Sequence, residues 1–540
     1  MAGEDDASEL VLGAATDDLP GAEAPGDAGA GRSATLVMVG ILLSRLVGLA
    51  RERIVGHYLG LGPFADVVTA GFKAGNITQN LLGEGTLSAS FIPVYARLRA
   101  GGKAGEAVAF ARTALGFLLI FVAAMTGIGM LASPLLARLL GTGIKPEHFD
   151  DAVAAVRALF PMTGMLVLSA WALGVLNAHR RFFLSYAAPV LWSLAQIAAV
   201  AFCGGVLGQT DDTLVTALIG GATAGAVLQL LVLLPTARSL LGRIGPRFDR
   251  ADRSVHEAAR RLPAVLLGRG VIQISGIIDA ALVGLAGGEG AIAAFNKAQM
   301  LYLFPMSLLG TGEAAASLPE MAGDTVETDV ARRNARIRDR LGASLGRVTA
   351  LSVPATLALA LLGGDLIRVV LRSGSFDEAA TERVAQLLAA YAFALLGNAS
   401  GRVLTNTMYA MRDTRTPARY AIYRVAASTA AALALMQTYG ALGVVLGAVV
   451  AAWVETFALA WKIRRTLGGL GLEHVPVARS LALGAVCALP PVLLRAALPD
   501  AFATSFLGAA LRLAVFGGAF ALAAPALGLV NLRSLLRRRR

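Results

Sequence analysis

Apolar positions in this chain run in long windows, unlike the alternation of a strand or the single stripe of a surface helix. Windows near the roughly 20 residues needed to cross a bilayer recur from residue 34 to residue 531. Fourteen can be drawn. In the first part they centre on residues 34–56, 63–93, 110–132, 153–177, 183–207, 213–236 and 261–286. In the second they centre on 291–318, 341–363, 384–408, 418–437, 438–461, 479–498 and 505–529. The pattern predicts an all-α polytopic membrane protein.

Composition agrees with this reading. Of 540 residues, 56% are apolar and 16% charged, and the mean hydropathy is +0.65, more apolar surface than contact with water tolerates. Residues 1–33 are acidic and rich in Ala and Gly, without the basic start of a signal peptide, and are expected to form a disordered cytoplasmic tail. Basic residues sort into alternate loops once the N-terminus is placed inside: Arg97, Arg99 and Lys103, then Arg180 and Arg181, then Arg238 to Arg261, Arg332 to Arg340, Arg412 to Arg419, Lys462 to Arg465, and Arg537 to Arg540. The loop at 365–383, with mixed charge, is the exception. Both termini are therefore expected in the cytoplasm. The pI of 10.2 reflects this topology and contact with anionic lipid, not nucleic acid. Cys203 and Cys487 fall inside apolar windows and read as packing residues, and the five histidines show no metal-ligand spacing.

An internal repeat orders the windows. "LLGEGTLSASFIP" at 81–93 resembles "LLGTGEAAASLP" at 308–319, and "LNAHRRFFLSYAAP" from 176 resembles "MYAMRDTRTPARYA" from 408, at offsets of 227 and 232 residues. Six windows separate the copies, so the halves run in the same direction. Two six-helix lobes are expected, 34–237 and 238–462, in parallel pseudo-repeat around a central cavity, with two further helices in 463–530 and a basic tail at 531–540.

Ionisable residues interrupt this apolar pattern. Arg45 sits about eleven residues into the first window, where an ionised group costs at least about 2.5–3.5 kcal/mol. Arg45 and Arg51 share a slanted stripe of one helix, and Asp66 and Lys73, seven apart, share a face of the next. Two readings stand: an internal ion-pair set such as Arg45 or Arg51 with Asp66, or a hydrated cationic cavity for a large anionic substrate. "KAGNITQNLLGEG" brings three glycines and polar side chains to a depth where regular helix should run, so Asn76, Gln79, Asn80 and Glu84 are expected at the cavity or its gate. In the second half Arg269, Asp279, Lys297, Gln299 and Glu313 are candidates, with Asp279 alternatively paired to Arg269.

"SRLVGLARE" (44–52), "FADVVTAGF" (64–72), "GEGTLSASFIPVY" (83–95), "LRSGSFDEAAT" (371–381) and "YAMRDTRTPARYAI" (409–422) together resemble the lipid II flippase (MurJ/MviN) family of the multidrug/oligosaccharidyl-lipid/polysaccharide exporter superfamily. The resemblance implies a multi-pass protein of the cytoplasmic (inner) membrane. It also implies movement of undecaprenyl-diphosphate-linked peptidoglycan precursor, lipid II, by alternating access, coupled to membrane potential or a cation gradient. It implies no catalytic site and no cofactor. Its partners would be lipid II, membrane lipids and cell-wall synthesis proteins, and the groove for the lipid tail would lie along 463–530. The family's cavity residues carry over as Arg45, Arg51 and Asp66. Two departures stand out: Gln79 and Asn80 where the family usually has arginines, and Met300 where it usually has a cavity arginine. Lys297 and Gln299 are the nearest candidates to compensate. The alternatives are a flippase for another polyprenyl-linked oligosaccharide and a non-transporting membrane scaffold of the same fold. A polytopic glycosyltransferase would need paired carboxylates in a long outside loop, and the outside loops here reach only about 20 residues.

Overall fold

Glycine, proline and short polar side chains decide where the helices begin and end. Our computed structural model describes residues 28–307 and 329–529, together with residues 309 and 321. Residues 1–27, Glu313 and Arg537 to Arg540 lie outside the described residues, as do most of 308–319 and the side chain of Glu84. Among the described residues seventeen α-helices follow in order: α1 Ala28–Leu59, α2 Pro63–Leu82, α3 Glu84–Ala100, α4 Ala104–Leu131, α5 Ser133–Leu140, α6 Phe149–Ala178, α7 Phe182–Val200, α8 Asp211–Leu241, α9 Arg253–Gly287, α10 Ala291–Met306, α11 Val330–Val370, α12 Glu378–Ala410, α13 Arg415–Tyr439, α14 Ala441–Leu467, α15 Val477–Ala497, α16 Asp500–Ala503 and α17 Phe506–Ala526. A π-helical turn, Ala201–Val206, extends α7. The side chains of Asp252, Asp329, Asp377 and Ser505 accept from first-turn amides of α9, α11, α12 and α17. There is no strand among the described residues.

Among the described residues, ten stretches of helix are long and apolar enough to cross a membrane, carried on α4, α6, α7, α8, α9, α11, α12, α14, α15 and α17. The four other expected windows coincide with α1, the α2–α3 pair, α10 and α13, where charges or a break interrupt the apolar run. Fourteen spans therefore stand as an expectation. Side chains such as Leu131 and Leu522, 83% and 79% exposed, face outward as lipid contact requires.

The helices divide into two compact units, residues 1–293 with Ser373–Phe376 and residues 294–372 with 377–540. In the first, α6 is the central element, buried along most of its length against α2, α3, α4 and α8. One core gathers Val67, Ala70, Leu159, Met162 and Leu218, and another gathers Phe91, Phe110, Trp171 and Leu233. Trp171 satisfies its indole by donating to the Ala111 carbonyl at 3.0 Å. Small residues bring the backbones close, and a Cβ at Gly225 of α8 would meet the Trp192 backbone of α7 at 2.8 Å. Helix α9, expected in the second lobe, packs with this unit through α3 and α2. Ser373–Phe376 also belongs here: Ser375 N–H donates to the His57 carbonyl at 2.8 Å, an approach that the left-handed Gly374 (φ 55°) permits.

In the second unit α11 pairs with α12 and α13 with α14, while α15 and α17 pack together and onto α11. Leu483, Cys487 and Ala524 form the small apolar centre of that appended pair. A buried charge cluster fixes α17 to α11. Arg512, fully buried, donates through Nε to Asp365 Oδ2 at 2.8 Å and through Nη2 to Asp365 Oδ1 at 2.5 Å. Arg368 Nη1 shares Asp365 Oδ1 at 3.0 Å and also grips Glu378, which Arg372 bonds at 2.8 Å.

Candidate substrate-binding site

The expected break in the second window falls at Gly83, where α2 stops and α3 starts. Gly83 N–H still bonds the Gln79 carbonyl at 2.6 Å, and a Cβ there would lie 2.5 Å from that same oxygen, so only glycine fits. Thr86 Oγ1 donates to the Leu81 carbonyl at 2.5 Å, supplying a bond that regular helix no longer gives. Along α2 one face, with Ala70, Gly71, Ala74 and Gly75, is buried. The other carries Lys73, Asn76 and Asn80, with both asparagines exposed and Gln79 half-buried.

On α1, Arg45 is exposed and Arg51 half-buried. Arg51 Nη2 donates to Glu52 Oε1 at 2.8 Å, and its guanidinium carbon lies 4.8 Å from the centre of the Trp192 ring on α7. Trp192 in turn meets Phe72 of α2 edge-on, with ring centres 6.1 Å apart. The indole Nε1 of Trp192 is buried with no hydrogen-bond partner among the described residues. One aromatic ring thus links the cation of α1 to the polar helix α2.

Asp66 makes contacts that its side-chain pattern does not announce. Only 1% exposed, it accepts from the backbone N–H groups of Gly290 (2.7 Å to Oδ2) and Ala293 (2.8 Å to Oδ1), capping the start of α10. Of the ion pairs that one of the two readings allowed, Arg51 with Asp66 is not formed among the described residues, where Arg51 pairs with Glu52. Lys73 interacts electrostatically with Asp279 of α9, an association the sequence spacing did not reveal. Arg269 keeps a buried Nε with no partner among the described residues.

In the second unit Lys297 is buried, whereas Gln299 and Met300 are half-buried. Tyr302, one turn further along α10, accepts from Asn398 Nδ2 at 2.6 Å and stacks on Tyr391 at 5.1 Å. Arg402 of α12 and Arg424 of α13 both lie within electrostatic reach of Tyr302, and Arg424 bonds Glu455 of α14 at 3.0 Å. The sequence reading passed over these three charges although each stands inside an apolar window, the same signal that singled out Arg45.

Comparison with known proteins gives this arrangement a family. The family model described as lipid II flippase MurJ matches residues 55–511, a stretch that begins just after Arg45 and Arg51. The probable lipid II flippase MurJ of Rhizobium tropici is 32% identical over 421 residues, 77% of each chain. The lipid II flippase MurJ of Burkholderia cenocepacia is 31% identical over 390 residues, 71% of this chain and 73% of that one. Among solved structures, a lipid II flippase MurJ in an inward closed conformation superposes with a TM-score of 0.73 at 17% identity, covering 93% of this chain and all of the other. An inward-facing multidrug resistance MATE family transporter of the MOP superfamily gives 0.65 at 17% identity, covering 85% and 98%. These two structures show the shared fold, and the extent of the family match decides membership: the chain belongs to the lipid II flippase MurJ family.

Proposed function

We propose that this chain is a lipid II flippase, which moves undecaprenyl-diphosphate-linked peptidoglycan precursor across the cytoplasmic membrane by alternating access. The match to the family over residues 55–511 carries this reading. The chemistry of α1 and α7 supports it. A diphosphate needs donors in a site kept from bulk water, and Arg51 offers a permanently charged planar set beside an indole N–H that has no acceptor among the described residues. Arg45, Lys73, Asn76, Gln79 and Asn80 extend this polar surface, and Asp66 caps the start of α10 from α2. Lys297 and Gln299 serve the second unit. There Arg402 and Arg424 supply the positive charge that the family pattern would have at Met300.

The moving parts in this proposal are the lobes 34–237 and 238–462, and the polyprenyl tail runs along 463–530. The exposed apolar side chains of α15 and α17, Leu489, Leu493, Leu507 and Leu522, suit that use. Both termini lie in the cytoplasm, membrane potential or a cation gradient drives the cycle, and cell-wall synthesis proteins are its neighbours. Expression in a bacterium depleted of its own lipid II flippase tests the proposal. Restored growth is the expected result; a membrane-inserted, well-expressed chain that leaves growth arrested would overturn it.

A further inference from the structure

The turn between α14 and α15 reads "TLGGLGLEH" (466–474), and its glycines allow an unusually close packing. Gly468 and Gly471 adopt left-handed backbone at φ 76° and 65°. A Cβ at Gly471 would come within 2.6 Å of the Arg338 carbonyl oxygen, and one at Gly342 within 2.2 Å of the Gly471 oxygen. The turn therefore lies directly across the early turns of α11. It leaves a cleft of about 540 Å³ lined by Arg338, Arg464, Glu473 and residues 468–472.

Among the described residues, none of the charges in this cleft has an ion-pair contact shorter than 3.7 Å. Arg464 is exposed and makes no hydrogen bond or ion pair among the described residues, and Arg338 reaches only Asp339, at 3.7 Å. Glu473 is exposed and also lacks a partner among the described residues. Two guanidiniums against one carboxylate leave the cleft positive.

The helix leading into it indicates its depth. Phe457 and Trp461 of α14 are 64% and 54% exposed, and the Arg465 guanidinium lies 3.9 Å from the centre of the Trp461 ring. Outward aromatic side chains that end in a stacked tryptophan and then bare arginines mark the passage from hydrocarbon to headgroup. A free anion would not need this setting; a lipid phosphate would.

We propose that the cleft holds the phosphate of a membrane phospholipid, with Arg338 and Arg464 as donors and Glu473 facing the amine of an ethanolamine headgroup. Arginine suits the phosphate because its planar donors bind two oxygens at once. The carboxylate explains why the site is not purely cationic. The proposal stands whether or not lipid II is the cargo.

Native mass spectrometry of the full chain in detergent tests it, with phosphatidylethanolamine, phosphatidylglycerol and inorganic phosphate as separate probes. Wild type is expected to retain phosphatidylethanolamine best. R338Q/R464Q should bind it at least tenfold more weakly, and E473Q should lose the preference over phosphatidylglycerol. R464Q alone alters an exposed, unbonded side chain, so it carries the test if the double variant does not fold. Equal lipid retention by wild type and R464Q would overturn the proposal. So would inorganic phosphate displacing the lipid at equal concentration, since the site would then serve a free anion.

Discussion

The carboxylate of Asp66, near the start of α2, accepts the backbone N–H of Gly290 at 2.7 Å, just ahead of α10. Its other oxygen takes the N–H of Ala293 at 2.8 Å, so one side chain closes two of the amides that a helix start leaves open. The pairing spans more than two hundred residues of sequence and ties α2 to the start of α10.

Removing that carboxylate should cost stability before it costs chemistry. Hydrogen bonds to a buried charge contribute about 1.5–3 kcal/mol each, so Asp66→Ala is expected to destabilise the protein by about 3 kcal/mol or more. Asp66→Asn keeps an acceptor and should cost less than half as much. Thermal unfolding of the purified variants measures this; an Asp66→Ala protein as stable as wild type would contradict the capping role.

Arg51 and Trp192 should act as a pair. Asp66 does not neutralise Arg51, which pairs with its neighbour Glu52 and lies against the Trp192 ring, so its charge and its planar shape both matter. Arg51→Lys keeps only the charge and is expected to retain partial transport. Trp192→Ala removes the ring and should lower transport by about tenfold, the equivalent of about 1.4 kcal/mol of a cation–π contact. Trp192→Phe should fall between. A transport assay in which Arg51→Lys matches wild type would reduce the site to a point charge.

The cluster that docks α17 on α11 predicts a strong asymmetry between single and double changes. Arg512→Met leaves Asp365 buried with less of its compensating charge, at a cost of about 3–5 kcal/mol. Changing Asp365 to Asn in the same chain should recover much of that loss, because no buried carboxylate is then left without its arginine. A double-mutant cycle on unfolding free energy gives the coupling directly, and additive losses would contradict the network.

His179 gives a pH dependence outside the membrane. Its ring Nε2 lies 2.9 Å from the Tyr95 hydroxyl, and burial, together with the Arg99 and Arg181 guanidiniums, pushes its pKa below the ordinary imidazole value. The folded protein therefore binds this proton less readily than the unfolded chain. The contribution is present above about pH 6.5, the ordinary imidazole value, and is lost as the pH falls through the lower folded value. His179→Gln should flatten that part of the stability profile between about pH 7 and pH 5, read by thermal unfolding across the range.

The membrane architecture was legible because apolar windows of span length dominate the chain, and ten of them became spanning-length helices. The break at Gly83 was legible for the same reason, since "QNLLGEG" cannot continue a lipid-facing helix without loss. What the sequence hid was pairing between distant helices. Asp66 was visible as an intramembrane acid, but its partners are backbone amides, which carry no residue signature. One of the two readings paired Arg45 or Arg51 with Asp66 across two helices, whereas Arg51 bonds Glu52, adjacent in sequence. Arg402, Arg424 and Arg512 stood in plain view inside apolar windows, and only the fold shows that the first two converge near Tyr302 while the third is locked to Asp365. Repeat spacing places helix α9 in the second lobe, and its contacts with α3 and α2 carry no sequence signature.

The most direct test of the account is transbilayer exposure of lipid II in cells depleted of their own flippase and supplied with this chain. Wild-type protein is expected to restore precursor on the outer leaflet, and Arg51→Ala, at equal membrane abundance, is expected to leave it inside. Exposure restored equally by both would contradict a cationic site at Arg51, and exposure restored by neither would contradict lipid II as the cargo.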